Sequence, residues 1–244
     1  MEVVLELKDI KKRYGEKIVH DGLGFQVRKG EILSLFGGSG TGKSVALRSI
    51  IGLDRPDSGE ILFHGQNIAR LKERQLVEIR KKIAYVFQNG ALFDSMTVEE
   101  NLAYLLVEHT KLSDEEIRAK IRDMLQLVGM SGSEKLLPAS LSGGMQKRVG
   151  LARAIILGPE IILYDEPTAG LDPQNTKNLI EIMKKLRGMG TTGIFVTHDI
   201  PAALEVSDRI AILYNRKIHV IDTVENIKKS EDPVVKAFIE GSVD

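Results

Sequence analysis

The stretch that decides the fold is Gly37-Gly38-Ser39-Gly40-Thr41-Gly42-Lys43-Ser44. It fits the pattern G-x-x-x-x-G-K-[ST], the Walker A motif of phosphate-binding loops. The apolar run over 31–36 predicts a strand before it, and the run over 45–51 predicts a helix after it. This context suits the motif, because N–H groups at a helix start after a glycine loop point at an anion.

The last two residues of the loop carry side chains suited to a phosphorylated ligand. Lys43 can reach the outer phosphates, and the hydroxyl of Ser44 can hold Mg²⁺. A chance glycine turn is the alternative explanation. The complete match, set between a predicted strand and a predicted helix, argues against it.

Composition limits the class of protein. The chain has 244 residues, 34 Lys and Arg, 34 Asp and Glu, and no Cys. That length can bury one sizeable core with a small appended subdomain. The balanced charge gives no electrostatic argument for binding nucleic acid, so we do not expect a nucleic-acid partner. No apolar run approaches the roughly 20 residues of a membrane helix, and the charged N-terminus is unlike a signal peptide. We therefore expect membrane contact through a partner.

A second chemical motif lies where an apolar run over 160–164 ends in Asp165 and Glu166. The pattern fits a Walker B strand. Asp165 would complete the Mg²⁺ shell, since hard cations prefer oxygen ligands. Glu166 would orient and polarise an attacking water. Two adjacent acids in a loop are usually solvated, but the apolar strand and the Walker A motif favour the functional interpretation.

Three further residues are weaker candidates. Gln88 and His198 each follow a predicted strand, and strand carboxyl ends face the ligand crevice of an α/β sheet. The Gln88 amide could bind Mg²⁺ or water, although a surface glutamine is the default. His198 could contact a γ-phosphate. Tyr14 lies in the charged stretch over 11–15, which predicts a turn, and its ring could stack on a base, although packing is the commoner role.

The segment over 89–158 predicts helices and no strand, so we expect a helical insertion in an α/β chain. Thr97 and Ser113 each begin a capping box. Ser142, Gly143 and Gly144 precede a helix predicted over 145–157 and offer a second set of N–H donors. Taken alone, an ordinary helix cap explains them. Asp172 lies in a turn that opens a helix predicted over 175–187.

The order of these motifs resembles that of ABC-transporter ATPase subunits over nearly the whole chain. The resemblance implies an α/β fold: a P-loop NTPase (RecA-like) core with an antiparallel β subdomain and an inserted helical subdomain. It implies one domain over 1–244, with the core and β subdomain in 1–88 and 159–244 and the helical subdomain in 89–158. ATP and Mg²⁺ are the implied cofactors.

The resemblance also implies roles for individual residues. Tyr14 would stack on adenine, Gln88 would be the Q-loop residue, Asp172 the D-loop residue and His198 the switch histidine, with Lys43, Glu166 and His198 forming the catalytic set. It implies a head-to-tail homodimer, in which Ser142, Gly143 and Gly144 of one subunit meet ATP on the Walker A loop of the other. The chain departs from the family pattern at Met145, where Gln is usual, and at Ala169, where Ser is usual, so position 169 has no hydroxyl to contact the partner subunit.

A narrower resemblance, to the ATPases of Mla-type (MCE-associated) phospholipid transporters, rests on the segment over 87–98 and above all on Gly90-Ala91-Leu92-Phe93-Asp94-Ser95. A membrane subunit would dock on this segment. The implied partners are transmembrane permease subunits and an MCE-domain protein, at the cytoplasmic face of the inner membrane.

Other functions stay open at this point. An amino-acid or lipoprotein ABC system shares parts of the same pattern. A soluble ABC protein acting on DNA or the ribosome usually has tandem cassettes or long insertions, which this chain does not have. A nucleotide sensor without catalysis is disfavoured by Glu166 beside Asp165.

Overall fold

The protein is described by a computed structural model that covers residues 2–88 and 90–241. Its strands are β1 (Val3–Tyr14), β2 (Lys17–Arg28), β3 (Ile32–Phe36), β4 (Ser58–Phe63), β5 (Gln66–Asn67), β6 (Ile83–Val86), β7 (Ile161–Asp165), β8 (Thr192–Val196), β9 (Arg209–Tyr214) and β10 (Lys217–Thr223). Its α-helices are α1 (Lys43–Ile50), α2 (Glu73–Lys82), α3 (Val98–His109), α4 (Asp114–Leu127), α5 (Gly143–Ile155), α6 (Pro173–Gly188), α7 (Ile200–Val206), α8 (Val224–Lys228) and α9 (Pro233–Ile239).

Two sheets organise the chain. The core sheet has the strand order β10-β9-β3-β8-β7-β6, in which β10 pairs antiparallel with β9 and the other pairs are parallel. Strands β3 and β8 are buried along their whole length, as expected of parallel strands covered on both faces. The second sheet, β2-β1-β4-β5, is antiparallel. The predicted α/β fold with an antiparallel β subdomain is confirmed.

The core lies on both faces of the parallel sheet. On one face, Leu33 and Leu35 of β3 pack in a cluster with Leu47 of α1 and Leu5 of β1. On the other face, Ile32 belongs to a cluster that includes residues of α3 to α7. Because the sheet is parallel, the loops after β3, β7 and β8 leave from the same edge. This edge brings Walker A, Walker B and His198 together.

Described residues between 90 and 158 form helices and no strand, as the sequence predicts. Both predicted capping boxes are present: the Thr97 hydroxyl accepts from the N–H of Glu100, and the Ser113 hydroxyl accepts from the N–H of Glu116. The exact division into 1–88, 89–158 and 159–244 stays a prediction. Within the part of the chain that the structure describes, no helix has the length and apolarity needed to cross a membrane.

The turn predicted over 11–15 is wrong. Strand β1 continues to Tyr14, and the turn occupies Gly15 and Glu16. Pairing explains the difference, because Lys12 lies opposite His20 and Tyr14 opposite Lys17 in a long hairpin. Cross-strand pairing therefore overrides a local charge run that has no strand propensity of its own.

Candidate functional site

The Walker A loop connects β3 to α1 and depends on glycine at its last turn. Gly42 caps α1 with φ 102°, a left-handed conformation that L side chains rarely adopt. A Cβ atom at Gly42 would lie 2.4 Å from Cγ1 of Val19 and 2.6 Å from Nε2 of His20. Glycine is therefore required twice here, for backbone conformation and for the close approach of β2.

His20 holds the carbonyl at the start of α1. Its Nε2 lies 3.1 Å from the oxygen of Gly42, which also accepts the N–H of Ala46 at 2.9 Å. A carbonyl can only accept, so Nε2 carries the proton. His20 is fully buried, and this burial lowers its pKa to about 4, so the ring is neutral at pH 7. The other ring nitrogen, Nδ1, is buried without a hydrogen-bond partner.

Lys43 lies folded along the loop. Its Nζ donates to the carbonyls of Gly37 at 2.7 Å and Gly38 at 2.9 Å, and the residue is only 5% exposed. Burial lowers its pKa, while the charges of Glu166 and Asp165 act in the opposite direction. A buried cation so close to the loop amides suits the binding of a phosphate chain.

Both carboxylate oxygens of Asp165 accept a hydrogen bond. The Ser44 hydroxyl donates to Oδ1 at 2.8 Å, and the Tyr85 hydroxyl donates to Oδ2 at 2.6 Å. Burial, and then the bond to Asp165, raise the pKa of Tyr85 far above its ordinary value. Ser44 and Asp165 thus present adjacent hard oxygen donors, which is the chemistry that Mg²⁺ prefers.

Glu166 follows β7 in an unusual backbone conformation. Its φ is 49°, in the left-handed region that residues with a side chain seldom adopt. Its N–H donates to the carbonyl of Val196 at 2.9 Å, which fixes the turn against β8. The carboxylate Oε1 then lies 3.0 Å from Nε2 of the half-exposed His198. Two of the three predicted catalytic side chains, Glu166 and His198, are therefore in direct contact.

One cavity of about 260 Å³ lies over α1 and brings residues of the Walker A loop together with Tyr14, Glu166 and His198. It is lined by Tyr14, Ser39, Gly40, Gly42, Lys43, Ser44, Glu166 and His198, together with Lys17, Val19 and Val45. The ring of Tyr14 is 43% exposed at this cavity, and its hydroxyl lies beside Asp54 and Arg48. Burial and the Asp54 carboxylate raise the pKa of Tyr14.

The remaining predicted residues lie outside this cavity. Gln88 is exposed beyond the end of β6. Ser142 and Gly143 are exposed at the start of α5, where the Ser142 hydroxyl accepts from the N–H of Met145 at 3.3 Å. Asp172 caps α6, and its hydrogen bonds from Asn175 lower its pKa. A single chain therefore does not bring Ser142, Gly143 and Gly144 to its own Walker A loop.

The start of α5 is tied to the segment after Glu166 by two long side chains. Lys147 donates to the carbonyl of Pro167 at 3.1 Å and also to that of Ala169. Arg148 donates to the amide oxygen of Asn175 at 2.7 Å, and Asn175 in turn donates to Asp172 at 2.6 Å. The predicted signature and D-loop segments thus form one connected surface.

Sequence reasoning missed three of these residues. Tyr85 looks like an ordinary aromatic residue of an apolar strand, His20 like one polar residue of a half-buried strand, and Lys147 like a helix-surface charge. Their contacts join segments 20 to 80 residues apart. No local spacing in the sequence signals such contacts.

Comparison with known proteins agrees with this geometry. Residues 20–169 match a family model described as ABC transporter. This segment includes the Walker A loop, the start of α5 and both Walker B acids. The chain therefore belongs to the ABC transporter family, as an ATP-binding subunit that hydrolyses ATP.

Curated relatives match along almost the entire chain. A probable ribonucleotide transport ATP-binding protein, mkl of Mycobacterium leprae, is 41% identical over 99% of this chain and 70% of its own length. The intermembrane phospholipid transport system ATP-binding protein MlaF of Haemophilus influenzae is 38% identical over 99% of this chain and 92% of its own length. The predicted resemblance to ATPases of the Mla type is confirmed.

Solved structures of ATP-binding cassettes have the same fold. One is a dimeric cassette in a post-hydrolysis state bound to ADP and Pi, with a TM-score of 0.83 and 33% identity, covering 90% of this chain and 98% of that one. Another is a nucleotide-free cassette from an ABC transporter, with a TM-score of 0.85 and 25% identity, covering 97% of this chain and 98% of that one.

Proposed function

We propose that this chain is the ATPase subunit of a bacterial transporter that moves phospholipid between membranes, and that it works at the cytoplasmic face of the inner membrane. The observation that carries the proposal is the similarity to MlaF over 99% of this chain and 92% of that protein. The two proteins therefore correspond almost end to end. The segment Gly90-Ala91-Leu92-Phe93-Asp94-Ser95, which resembles Mla-type ATPases, supports the same substrate class.

The proposed mechanism assigns the cavity over α1 to ATP. The ring of Tyr14 stacks on adenine, and the loop amides with Lys43 bind the phosphates. Ser44 and Asp165, with Gln88 at the end of β6, would hold Mg²⁺ through oxygen donors. When bound, the ion would supply positive charge next to the phosphates.

Hydrolysis uses the contact between Glu166 and His198. Glu166 orients the attacking water and accepts a proton from it, while His198 holds the γ-phosphate side of the site. The 3.0 Å contact between the two side chains keeps the carboxylate aimed into the cavity. Most of the rate enhancement then comes from positioning and electrostatics rather than from covalent chemistry.

The active form is proposed to be a head-to-tail homodimer. The exposed Ser142 and Gly143 of one subunit, with the buried Gly144 behind them, complete the ATP site of the other, and Asp172 lies in the same contact. Support comes from their position outside the cavity of their own chain. The cassette bound to ADP and Pi, which is dimeric, supports the same arrangement.

A docking surface for the membrane subunit is proposed at Phe93, Asp94 and Met96. The fully buried Asn101 organises this segment, because its side chain accepts from the N–H of Phe93 at 2.8 Å and donates to the carbonyls of Phe93 and Met96. The Phe93 ring is 40% exposed and packs edge-on against Tyr104. A rigid loop with an exposed apolar ring suits contact with another protein.

A Phe93→Asp substitution tests this surface. A charge at the centre of an apolar contact should abolish co-purification with the permease subunits, while ATP hydrolysis by the isolated subunit remains. Met189→Asp is the control, because Met189 is 72% exposed at the end of α6, far from this segment in sequence. If the Phe93 variant still co-purifies with the permease, the docking surface lies elsewhere.

The transport function itself is tested in vesicles. The chain, its permease and an MCE-domain protein are reconstituted, and transfer of a fluorescent phospholipid is followed with ATP and with ADP. We expect transfer that depends on ATP and is lost in Glu166→Gln. The relative named for ribonucleotide transport makes radiolabelled ribonucleotide the competing substrate. Ribonucleotide uptake without phospholipid transfer would overturn the proposed substrate.

A further inference from the structure

The hydroxyl of Tyr85 donates a hydrogen bond to Asp165, the acid at the end of β7. We propose that Tyr85 is a positioning residue, whose hydroxyl holds Asp165 in the orientation in which that carboxylate and Ser44 bind a divalent cation on the nucleotide. The inference rests on the proposed Mg²⁺–ATP site and extends it to a residue outside the motifs. Tyr85 is three residues before Gln88, on the strand that leads to it.

Strand register places this hydroxyl. Tyr85 of β6 pairs with Leu163 of β7, two residues before Asp165. Alternation along a strand puts Leu163 and Asp165 on the same face. Leu163 is in the hydrophobic cluster on that face, and Tyr85 packs against the same cluster. The phenol therefore extends along the face of the sheet towards the carboxylate and reaches Oδ2 at 2.6 Å.

The carboxylate of Asp165 is held from two sides by donors of different elements. Ser44 of α1 donates to Oδ1 and Tyr85 of β6 donates to Oδ2. A rotation of the carboxylate about its side-chain bonds would break at least one of these bonds. Ser44 can offer its oxygen lone pair to a cation while its proton stays on Oδ1. The Tyr85 bond then fixes the far oxygen, which is the usual role of a residue behind a metal ligand.

The hydroxyl, and not the ring, performs this role. The Tyr85 ring lies 4.4 Å from the ring of Phe87 between centroids, and phenylalanine would keep this packing. A phenol is protonated at neutral pH, so the Tyr85 hydroxyl can act as the donor in this hydrogen bond. Tyr85→Phe therefore removes one hydrogen bond to Asp165 and leaves the apolar contacts in place.

The test measures the Mg²⁺ dependence of nucleotide binding in full-length protein. Binding of a fluorescent ATP analogue is followed while Mg²⁺ is titrated, and Mn²⁺ bound to the protein–ATP complex is followed by electron paramagnetic resonance. In Tyr85→Phe, we expect the half-saturating Mg²⁺ concentration to rise about tenfold, the usual scale for loss of a partner behind a metal ligand. Binding of the analogue in EDTA should be unchanged.

Tyr164→Phe is the matched control. Tyr164 lies beside Asp165 in β7 but faces the opposite side of the sheet, where it packs edge-on against Phe195. Removal of the Tyr164 hydroxyl should leave the half-saturating Mg²⁺ concentration unchanged. Both variants are first compared with the parent by thermal unfolding, so that a general loss of structure is recognised.

The outcomes separate this inference from the proposed function. A parent protein with no Mg²⁺-dependent ATP binding would overturn the proposed site itself. A parent with such binding and a Tyr85→Phe variant with the same half-saturating Mg²⁺ concentration would overturn the inference alone. An equal shift in Tyr85→Phe and Tyr164→Phe would also overturn it, because the effect would then not pass through Asp165.

Discussion

Two helix starts in this molecule have the same local design and different surroundings. Helix α1 begins after a glycine loop and α5 begins with two glycines, and both present backbone N–H groups at their first turn. The start of α1 lies in a cavity with Lys43, Ser44, Glu166 and His198. The start of α5 is exposed, and the Ser142 side chain is engaged in capping its own helix.

The difference shows why the two sites have unequal roles. The first helix start has a buried cation, an acid with two donors and a second acid in contact with a histidine. It has the parts of a complete phosphate and metal site. The second offers amides and a hydroxyl, while the nearby Lys147 and Arg148 donate to Pro167, Ala169 and Asn175, so its interaction with an anion depends on charges from another surface. In the proposed homodimer, that surface is the Walker A loop of the second subunit.

The largest expected effect distinguishes two lysines that donate to backbone carbonyls, one near each helix start. Lys43 donates to the carbonyls of Gly37 and Gly38, and Lys147 donates to those of Pro167 and Ala169. Lys43→Ala should lower ATP turnover on the order of 100-fold or more, the scale for loss of one charge-stabilising donor, and should weaken ATP binding. Lys147→Ala should leave ATP binding by the isolated subunit intact.

Steady-state hydrolysis and nucleotide binding check this pair of variants. Similar loss of ATP affinity in both would show that the lysines act through loop structure and not through the phosphates. The comparison between the two helix starts would then be wrong.

The next largest expected effect is on the free energy of unfolding, through His20 beside the start of α1. The pKa of buried His20 is lowered from about 6.5 to about 4, so between these values the unfolded chain binds more protons than the folded one. The stabilising effect of the neutral ring is present above pH 6.5 and is lost as the pH falls towards 4, by about 3 kcal/mol in total. In His20→Leu, the free energy of unfolding should depend less on pH over this range.

Urea unfolding at a series of pH values measures this slope. His109→Asn is the control, because His109 ends α3 at a distance from the loop in sequence. An unchanged slope in His20→Leu would mean that His20 is not held neutral beside Gly42.

The smallest effect concerns the base of the nucleotide. Tyr14→Ala should weaken ATP binding by roughly 1 to 2 kcal/mol, the scale of one ring–base stack. Tyr14→Phe should be nearly neutral, because the ring remains and the hydroxyl lies towards Asp54 and Arg48. Titration calorimetry with ATP checks both variants. A Phe variant as weak as the Ala variant would show that the hydroxyl, and not the stack, determines affinity.

The sequence predicted well what depends on local pattern. The Walker A loop, the capping boxes at Thr97 and Ser113 and the acids after β7 each have a short signature, and each lies where the pattern placed it. It predicted poorly what depends on pairing between distant segments. The extension of β1 to Tyr14, the bond from Tyr85 to Asp165 and the contact of His20 with Gly42 arise from strand register. A single sequence does not show which residues of two distant strands lie opposite each other.

The head-to-tail association of two chains around ATP is tested by a Glu166→Gln variant. The amide keeps the size of the carboxylate but cannot accept a proton, so hydrolysis should fall sharply while ATP stays bound. The γ-phosphate then remains between Lys43 of one chain and the start of α5 of the other. Ser142→Arg in this background should prevent association, because a bulky side chain would occupy the place of the phosphate. Ser142→Ala removes the same helix cap without adding bulk and is the control.

Light scattering of the isolated subunit with Mg²⁺ and either ATP or ADP is the measurement. If ATP joins two chains head to tail, Glu166→Gln should change from monomer to dimer with ATP and stay monomeric with ADP. Adding Ser142→Arg to Glu166→Gln should keep the protein monomeric in ATP, while adding Ser142→Ala should leave the dimer detectable. If the protein with both Glu166→Gln and Ser142→Arg dimerises with ATP to the same extent as Glu166→Gln alone, the head-to-tail arrangement is contradicted.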